Sequence, residues 1–214
     1  MQDPRTLRKV VKLDSHISLA FAGLNADARV LIDMVSLFCL YLPACLRLCG
    51  GFFQARVEAQ SHRLQVEDAP TVEYMARHIA ELQQRYTQQG GRRPFGLSTL
   101  IAGVNQDGTP QLWCTDPAGT HTAWAANAVG RSSKSLREYL ETHYKRDLDV
   151  EAAKKLALTT LLEVVTASSA SVEVLVASKT GHYFVPSEDV DALIKTIEAE
   201  KAAAEEAAGA AAAN

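Results

Sequence analysis

The sequence predicts an α+β fold in which antiparallel sheets are stacked between layers of helix, and three observations predict it. Val72, Met75, Ile79, Leu82 and Tyr86 recur at spacings of three and four, which draws one apolar stripe along a helix that must be buried. Just beyond it, Leu97 to Val104 is apolar at nearly every position, with Gly103 the weak link, the pattern of a strand covered on both faces. The whole chain then reads as strands, two helices, strands, two helices, strands and one helix, with hairpin-like connections inside each strand group. That order satisfies every buried face when antiparallel sheets lie between helix layers.

Bulk properties bound the function. A chain of 214 residues suits one domain, or at most two small ones, and is ample for a real core. The formal charge of −3, with acidic and basic residues interspersed, argues against a nucleic-acid surface, which needs a clustered basic face. Three of the four cysteines, Cys39, Cys45 and Cys49, crowd one short segment, unlike a disulfide framework, so a reducing compartment is expected. Met1 to Lys12 is polar and basic, and no apolar signal segment is expected there.

The elements follow in order. Leu7 to Leu13 and Ile17 to Ala22 form a hairpin around Asp14-Ser15-His16. Gly23-Leu24 closes it, and Asn25 caps a helix whose first turn carries Asp27, favourable to the helix dipole. Helical composition resumes at Ala55, and Pro70-Thr71 opens the striped helix, with Glu81 and Arg85 able to pair across a turn. Gly90-Gly91 ends that helix and Pro94 turns the chain extended. Asn105 to Pro110 is turn chemistry, Gln111 to Thr115 a strand, Asp116-Pro117-Ala118-Gly119 a type I turn, and His121 to Val129 the third strand of a meander. Ser132 or Ser133 caps a helix with Leu136, Tyr139, Leu140 and His143 inward, and Asp149 caps another with Val150, Ala153, Leu156, Leu161 and Val164 in phase. Ser171 to Ala177 and His182 to Val185 pair around Lys179-Thr180-Gly181. Pro186-Ser187 starts the last helix, with Val190, Leu193, Ile194 and Ile197 inward, and beyond Glu198 an Ala/Glu composition predicts a solvated, fraying extension.

Val35 to Gln54 differs from its flanks: it is apolar all round and rich in cysteine. If it is removed, Met34 meets Ala55, and Val30, Met34, Val57 and Ser61 share a helix face at spacings of four, three and four. Residues 34–53 are long enough to cross a bilayer, but Pro43, Arg47 and Gly50-Gly51 would sit inside the span. A real inserted loop is a further reading, against which stands the rarity of long structureless loops in compact domains. Val35-Ser36 and Phe53-Gln54 are encodable by splice-donor and acceptor sequences, and translated intron sequence is the favoured reading.

Motifs for chemistry are weak. No histidine pair has a His-x-x-x-His spacing, no Gly-x-Ser-x-Gly elbow occurs, and the cysteines do not form a zinc knuckle, so neither metal nor cofactor is expected. Arg92-Arg93 and Lys154-Lys155 read as solvated charge pairs, and the glycines are too scattered to cradle a phosphate.

With residues 35–54 set aside, the chain from Gln2 to about Glu206 resembles the proteasome alpha subunits. The resemblance is carried by Leu24-Asn25-Ala26-Asp27-Ala28-Arg29-Val30-Leu31-Ile32, by Arg56 to Leu64, by Tyr86-Thr87-Gln88 with Gly91-Arg92-Arg93-Pro94-Phe95-Gly96, and by Thr115 to Gly119. It implies the four-layer alpha-beta-beta-alpha sandwich of N-terminal-nucleophile hydrolases, here lacking its first strands, and a domain over 1–197 interrupted at 35–54 and followed by a helical extension at 198–214. Catalytic relatives use a freed N-terminal threonine as nucleophile and base. Met1-Gln2-Asp3 supplies none, and no catalytic residue is expected.

The implied role is a non-catalytic subunit of the outer ring of the core particle, in ubiquitin-dependent protein degradation in cytoplasm and nucleus. Its partners would be other alpha subunits in a heptameric ring, beta-ring subunits and the C-terminal tails of regulatory particles, with neither nucleic acid nor membrane. By position, the family's activator-docking lysine falls on Lys9, and the adjoining backbone and apolar wall on Gly23 and Leu24. An amide hydrolase of the same fold, or a protein tethered through residues 34–53, are the alternatives.

Overall fold

The structure, a computed structural model, describes residues 9–33, 55–146, 148–164, 172–178 and 181–212. Seven strands and six helices occur among them in the order β1 (Val10–Lys12), β2 (Ile17–Gly23), α1 (Asn25–Asp33), α2 (Ala55–Val66), α3 (Val72–Gln88), β3 (Leu97–Val104), β4 (Pro110–Thr115), β5 (His121–Trp124), α4 (Ser133–His143), α5 (Val150–Leu162), β6 (Leu175–Ser178), β7 (Gly181–Phe184) and α6 (Ser187–Ala212). The sequence readings made on residues 35–54 lie outside the described residues. The chain divides into two units, one of Lys9–Arg131 with Ala177–His182, the other of Ser132–Val176 with the chain from Tyr183 onward.

The first unit is built on a five-stranded antiparallel sheet in the order β1-β2-β3-β4-β5. Period-two burial along β3 puts Leu97, Thr99 and Ile101 on the covered face, while Ser98, Leu100 and Ala102 on the other face are only half covered, against the two fully covered faces predicted. Ile17, Leu19 and Phe21 from β2 join Leu97 and Ile101 beneath the α3 stripe of Val72, Met75, Ile79 and Leu82, with Ala28, Leu31 and Ile32 of α1 and Ala59 of α2 in the same core.

Helix α3 starts where two caps meet. The Thr71 hydroxyl accepts from the Tyr74 amide at 3.1 Å, and the Asn105 side chain accepts from the Val72 amide at 3.1 Å, which ties the β3–β4 turn to the helix. Glu81 pairs with Arg77 at 3.0 Å, one turn before it, and not with Arg85 as the spacing suggested. The Asp116–Gly119 turn closes as predicted, the Gly119 amide donating to the Asp116 carbonyl at 2.9 Å. Strand β5 stops at Trp124, short of the predicted Val129. The Asn127 side chain takes the amide of Ala128 at 2.8 Å, local bonding that competes with a ladder.

In the second unit Leu158 of α5 packs with Val190, Ile194 and Ile197 of α6, so the last helix buries the face its spacing predicts. Asp149 caps α5 by accepting from the Val150 amide at 2.8 Å. The buried face of α5 is Leu158 and Thr160, not the predicted phase: Val150 is 51% exposed, and Ala153 and Val164 are exposed too. This helix is apolar on more than one side, and its partner α6 selects the face. Thr160 tolerates burial because its hydroxyl donates to the Leu156 carbonyl at 2.7 Å. In α4 Leu136 is buried, but His143 is exposed and stacks on Tyr139, and Ser132 reaches φ +59° without a side-chain cap bond. The β6–β7 hairpin, of which Ala177–His182 belong to the first unit, starts at Leu175, later than predicted, and includes Gly181 in its second strand. Lys155 with Glu200 and Lys201 with Glu163 join α5 to α6.

Candidate functional site

The corner between β2 and α1 is where two of the three sequence-predicted site residues meet. Gly23 ends β2 with φ +140°, and a Cβ there would lie 2.2 Å from the Gly96 carbonyl oxygen, so only glycine fits. Leu24 donates its amide to that carbonyl at 3.0 Å and accepts from the Ala28 amide at 3.1 Å. Leu24 therefore holds the N-cap position, and Asn25, predicted to cap, is the first helical residue. The Leu24 side chain is 53% exposed and lies over Gly96, where an added Cβ would come within 2.8 Å of its Cδ1.

Lys9 precedes β1 at the edge of the sheet, exposed, with its carbonyl accepting from the Phe21 amide at 3.2 Å. The register puts it opposite a residue two positions before Gly23, about 7 Å along the strand. Its exposed side chain therefore leaves the edge strand opposite Phe21, two residues before Gly23.

A third element fixes that corner, and sequence reasoning missed it. Asp27, in the first turn of α1 and 6% exposed, accepts from both terminal nitrogens of Arg93 at 2.6 Å each, and from the Gly96 amide at 2.9 Å. The Arg93 guanidinium holds the Asp27 carboxyl below its ordinary range, with the Gly96 amide acting in the same direction and burial opposing. From sequence Arg93 reads as half of a solvated charge pair with Arg92; it lies 66 residues from Asp27, and no local spacing joins the two. The same loop lines a cleft of about 290 Å³ with Tyr86, Arg92, Pro94 and Phe95, in which Tyr86 and Phe95 meet at 4.5 Å and the Arg92 guanidinium lies 5.3 Å from the Tyr86 ring centre.

A polar cluster elsewhere in this unit has the residue types of hydrolytic chemistry. Ser18 bonds His182 Nδ1 at 3.0 Å, and the Lys12 ammonium donates to the His182 carbonyl at 2.8 Å. Ser18, however, is 3% exposed, while Asp14 is paired with Arg63 at 2.9 Å, so a substrate cannot reach this hydroxyl and the contacts instead pin His182 to β2. Burial lowers the His182 pKa, which favours the neutral ring. Among the described residues no group of three His, Cys, Asp or Glu side chains is placed to hold a metal ion. None of the described helices is long and apolar enough to cross a membrane, and residues 34–53 lie outside the described set.

The family model described as proteasome subunit matches residues 1–41 and 53–177. This chain belongs to the proteasome subunit family. It is 51% identical over 209 residues to the proteasome subunit alpha type-7 of Cicer arietinum, covering 97% of this chain and 76% of the relative. The alpha type-7 subunit of Solanum lycopersicum is 51% identical over 209 residues, covering 97% of this chain and 73% of the relative. That of Dictyostelium discoideum is 46% identical over 202 residues, covering 94% and 72%. Within the proteasome subunit family the chain is an alpha-ring, non-catalytic member, and its α+β fold is of the N-terminal-nucleophile hydrolase type. As a subunit it assembles with other proteasome subunits.

Proposed function

We propose that this chain occupies an alpha-subunit position in a heptameric outer ring, between other alpha subunits and above a beta ring, and that Lys9, Gly23 and Leu24 dock the C-terminal tails of regulatory particles. The observation that supports this reading is the Gly23–Leu24 corner, where Gly23 is exposed and the half-exposed Leu24 offers an apolar wall, with an exposed lysine on the sheet edge opposite Phe21. A terminal carboxylate takes a charge-assisted bond from the ammonium while its chain lies along glycine backbone. The setting is ubiquitin-dependent protein degradation in the cytoplasm and nucleus.

The test is binding of a labelled peptide with a free C-terminal carboxylate to core particles assembled with this chain. Replacing Lys9 by Ala removes a bond of about 1.5–3 kcal/mol and should weaken docking at this interface by roughly ten-fold or more. Unchanged affinity would remove Lys9 from the pocket.

We also infer a domain over 1–197 interrupted by residues 35–54, with 198–214 as a helical extension. The family match passes over 42–52, inside the stretch whose composition sets it apart, which supports the interruption. Sequencing of transcripts across the codons for Met34 and Ala55 tests it: messages that join the two directly support translated intron sequence. Messages that uniformly keep the segment, together with lower stability on its deletion, contradict it.

A further inference from the structure

We propose that Asp27 and Arg93 form the positioning clamp of the carboxylate-docking corner: they hold Gly96 against Gly23 and Leu24, and so set the height at which a peptide C-terminus meets Lys9. The inference rests on the docking reading above and adds residues to it that touch no ligand.

The contacts form a single relay. Both Arg93 nitrogens reach the Asp27 carboxylate, the same carboxylate accepts the Gly96 amide, and the Gly96 carbonyl accepts the Leu24 amide. Gly96 is also the residue that Gly23 and the Leu24 side chain lie against. No slack is available: an added methyl on Gly23 would sit 2.2 Å from the Gly96 oxygen, and one on Gly96 would sit 2.8 Å from Leu24 Cδ1. Movement of Gly96 is therefore passed directly to the docking backbone and its apolar wall. The clamp is asymmetric. The Asp27 carboxylate is 8% exposed and the Arg93 side chain 65% exposed, so the buried anion is fixed in the helix turn while its partner closes over it from solvent. A bidentate guanidinium holds both angle and distance, which a lysine does not.

The experiment uses core particles assembled with the full chain and one labelled peptide in two forms, with a free C-terminal carboxylate and with a C-terminal amide. Arg93→Gln should weaken the free-acid peptide by about ten-fold with little effect on the amide, and Arg93→Lys should recover part of the loss. Added to Lys9→Ala, Arg93→Gln should cost little more, because the clamp acts by placing the peptide carboxylate against Lys9. Equal weakening of the acid and the amide marks a merely structural role and overturns the clamp, as does unchanged binding in Arg93→Gln while Lys9→Ala is impaired. If Lys9→Ala itself binds normally, the docking reading fails separately. Should Arg93→Gln not assemble, Asp27→Asn keeps an acceptor for the Gly96 amide but loses the ion pair, and normal free-acid binding in that variant overturns the inference.

Discussion

Thr99 of β3 and Thr115 of β4 face each other across the sheet, hydroxyl to hydroxyl at 2.7 Å, with neither side chain exposed. The pair lets polar residues occupy the covered face at the centre of the first unit, because each hydroxyl satisfies the other.

Thr99→Val should therefore destabilise by about 1–3 kcal/mol, since it leaves the Thr115 hydroxyl buried without a partner. Thr99→Val combined with Thr115→Val should recover most of that loss, because two apolar groups of the same shape replace the bond. Denaturant unfolding of the two single variants and the double variant measures the coupling. Additive losses would show that the two hydroxyls act independently.

Tyr74 joins α3 to α2 through its hydroxyl bond to Glu58, and that bond, with burial assisting, raises the phenol pKa to about 12. Because the folded-state value is raised, the associated stability is present below pH 10 and is lost as pH rises toward 12. Glu58→Gln removes the carboxylate and should bring the Tyr74 titration down toward its ordinary value. The measurement is alkaline absorbance titration of the protein against a Tyr74→Phe reference. A late-titrating phenol that persists in Glu58→Gln would assign the shift to burial alone.

Helix α5 offers a direct comparison of two apolar positions. Leu158 is 3% exposed against α6, whereas Val150 is 51% exposed. Leu158→Ala should cost about 2–5 kcal/mol, and Val150→Ala less than about 0.5 kcal/mol. Thermal unfolding of the two variants checks the helical phase, and a larger loss at Val150 would reverse it.

What could be read from the sequence was whatever local chemistry decides. The α3 stripe, the limits of β3, the Asp116–Gly119 turn and the Asp149 cap all rest on residues near in sequence, and the structure has them as predicted. The end of β5 and the face of α5 differ from what periodicity predicts because Asn127 and the packing of α6 choose among alternatives that periodicity leaves equal. At the candidate site, Lys9, Gly23 and Leu24 come from family resemblance, while the Asp27–Arg93 contact, joined through Gly96 to Gly23 and Leu24, spans distant parts of the chain. A bidentate pair of this kind becomes visible only when helix and loop are brought together.

The most direct measurement of the central claim is native mass spectrometry of core particles purified from cells that express this chain with an affinity tag. Incorporation beside other alpha subunits, with one copy per outer ring and no peptidase activity in the isolated chain, is the predicted result. A chain recovered only free of the particle, or an isolated chain that turns over fluorogenic peptides, would contradict its assignment as a non-catalytic ring subunit.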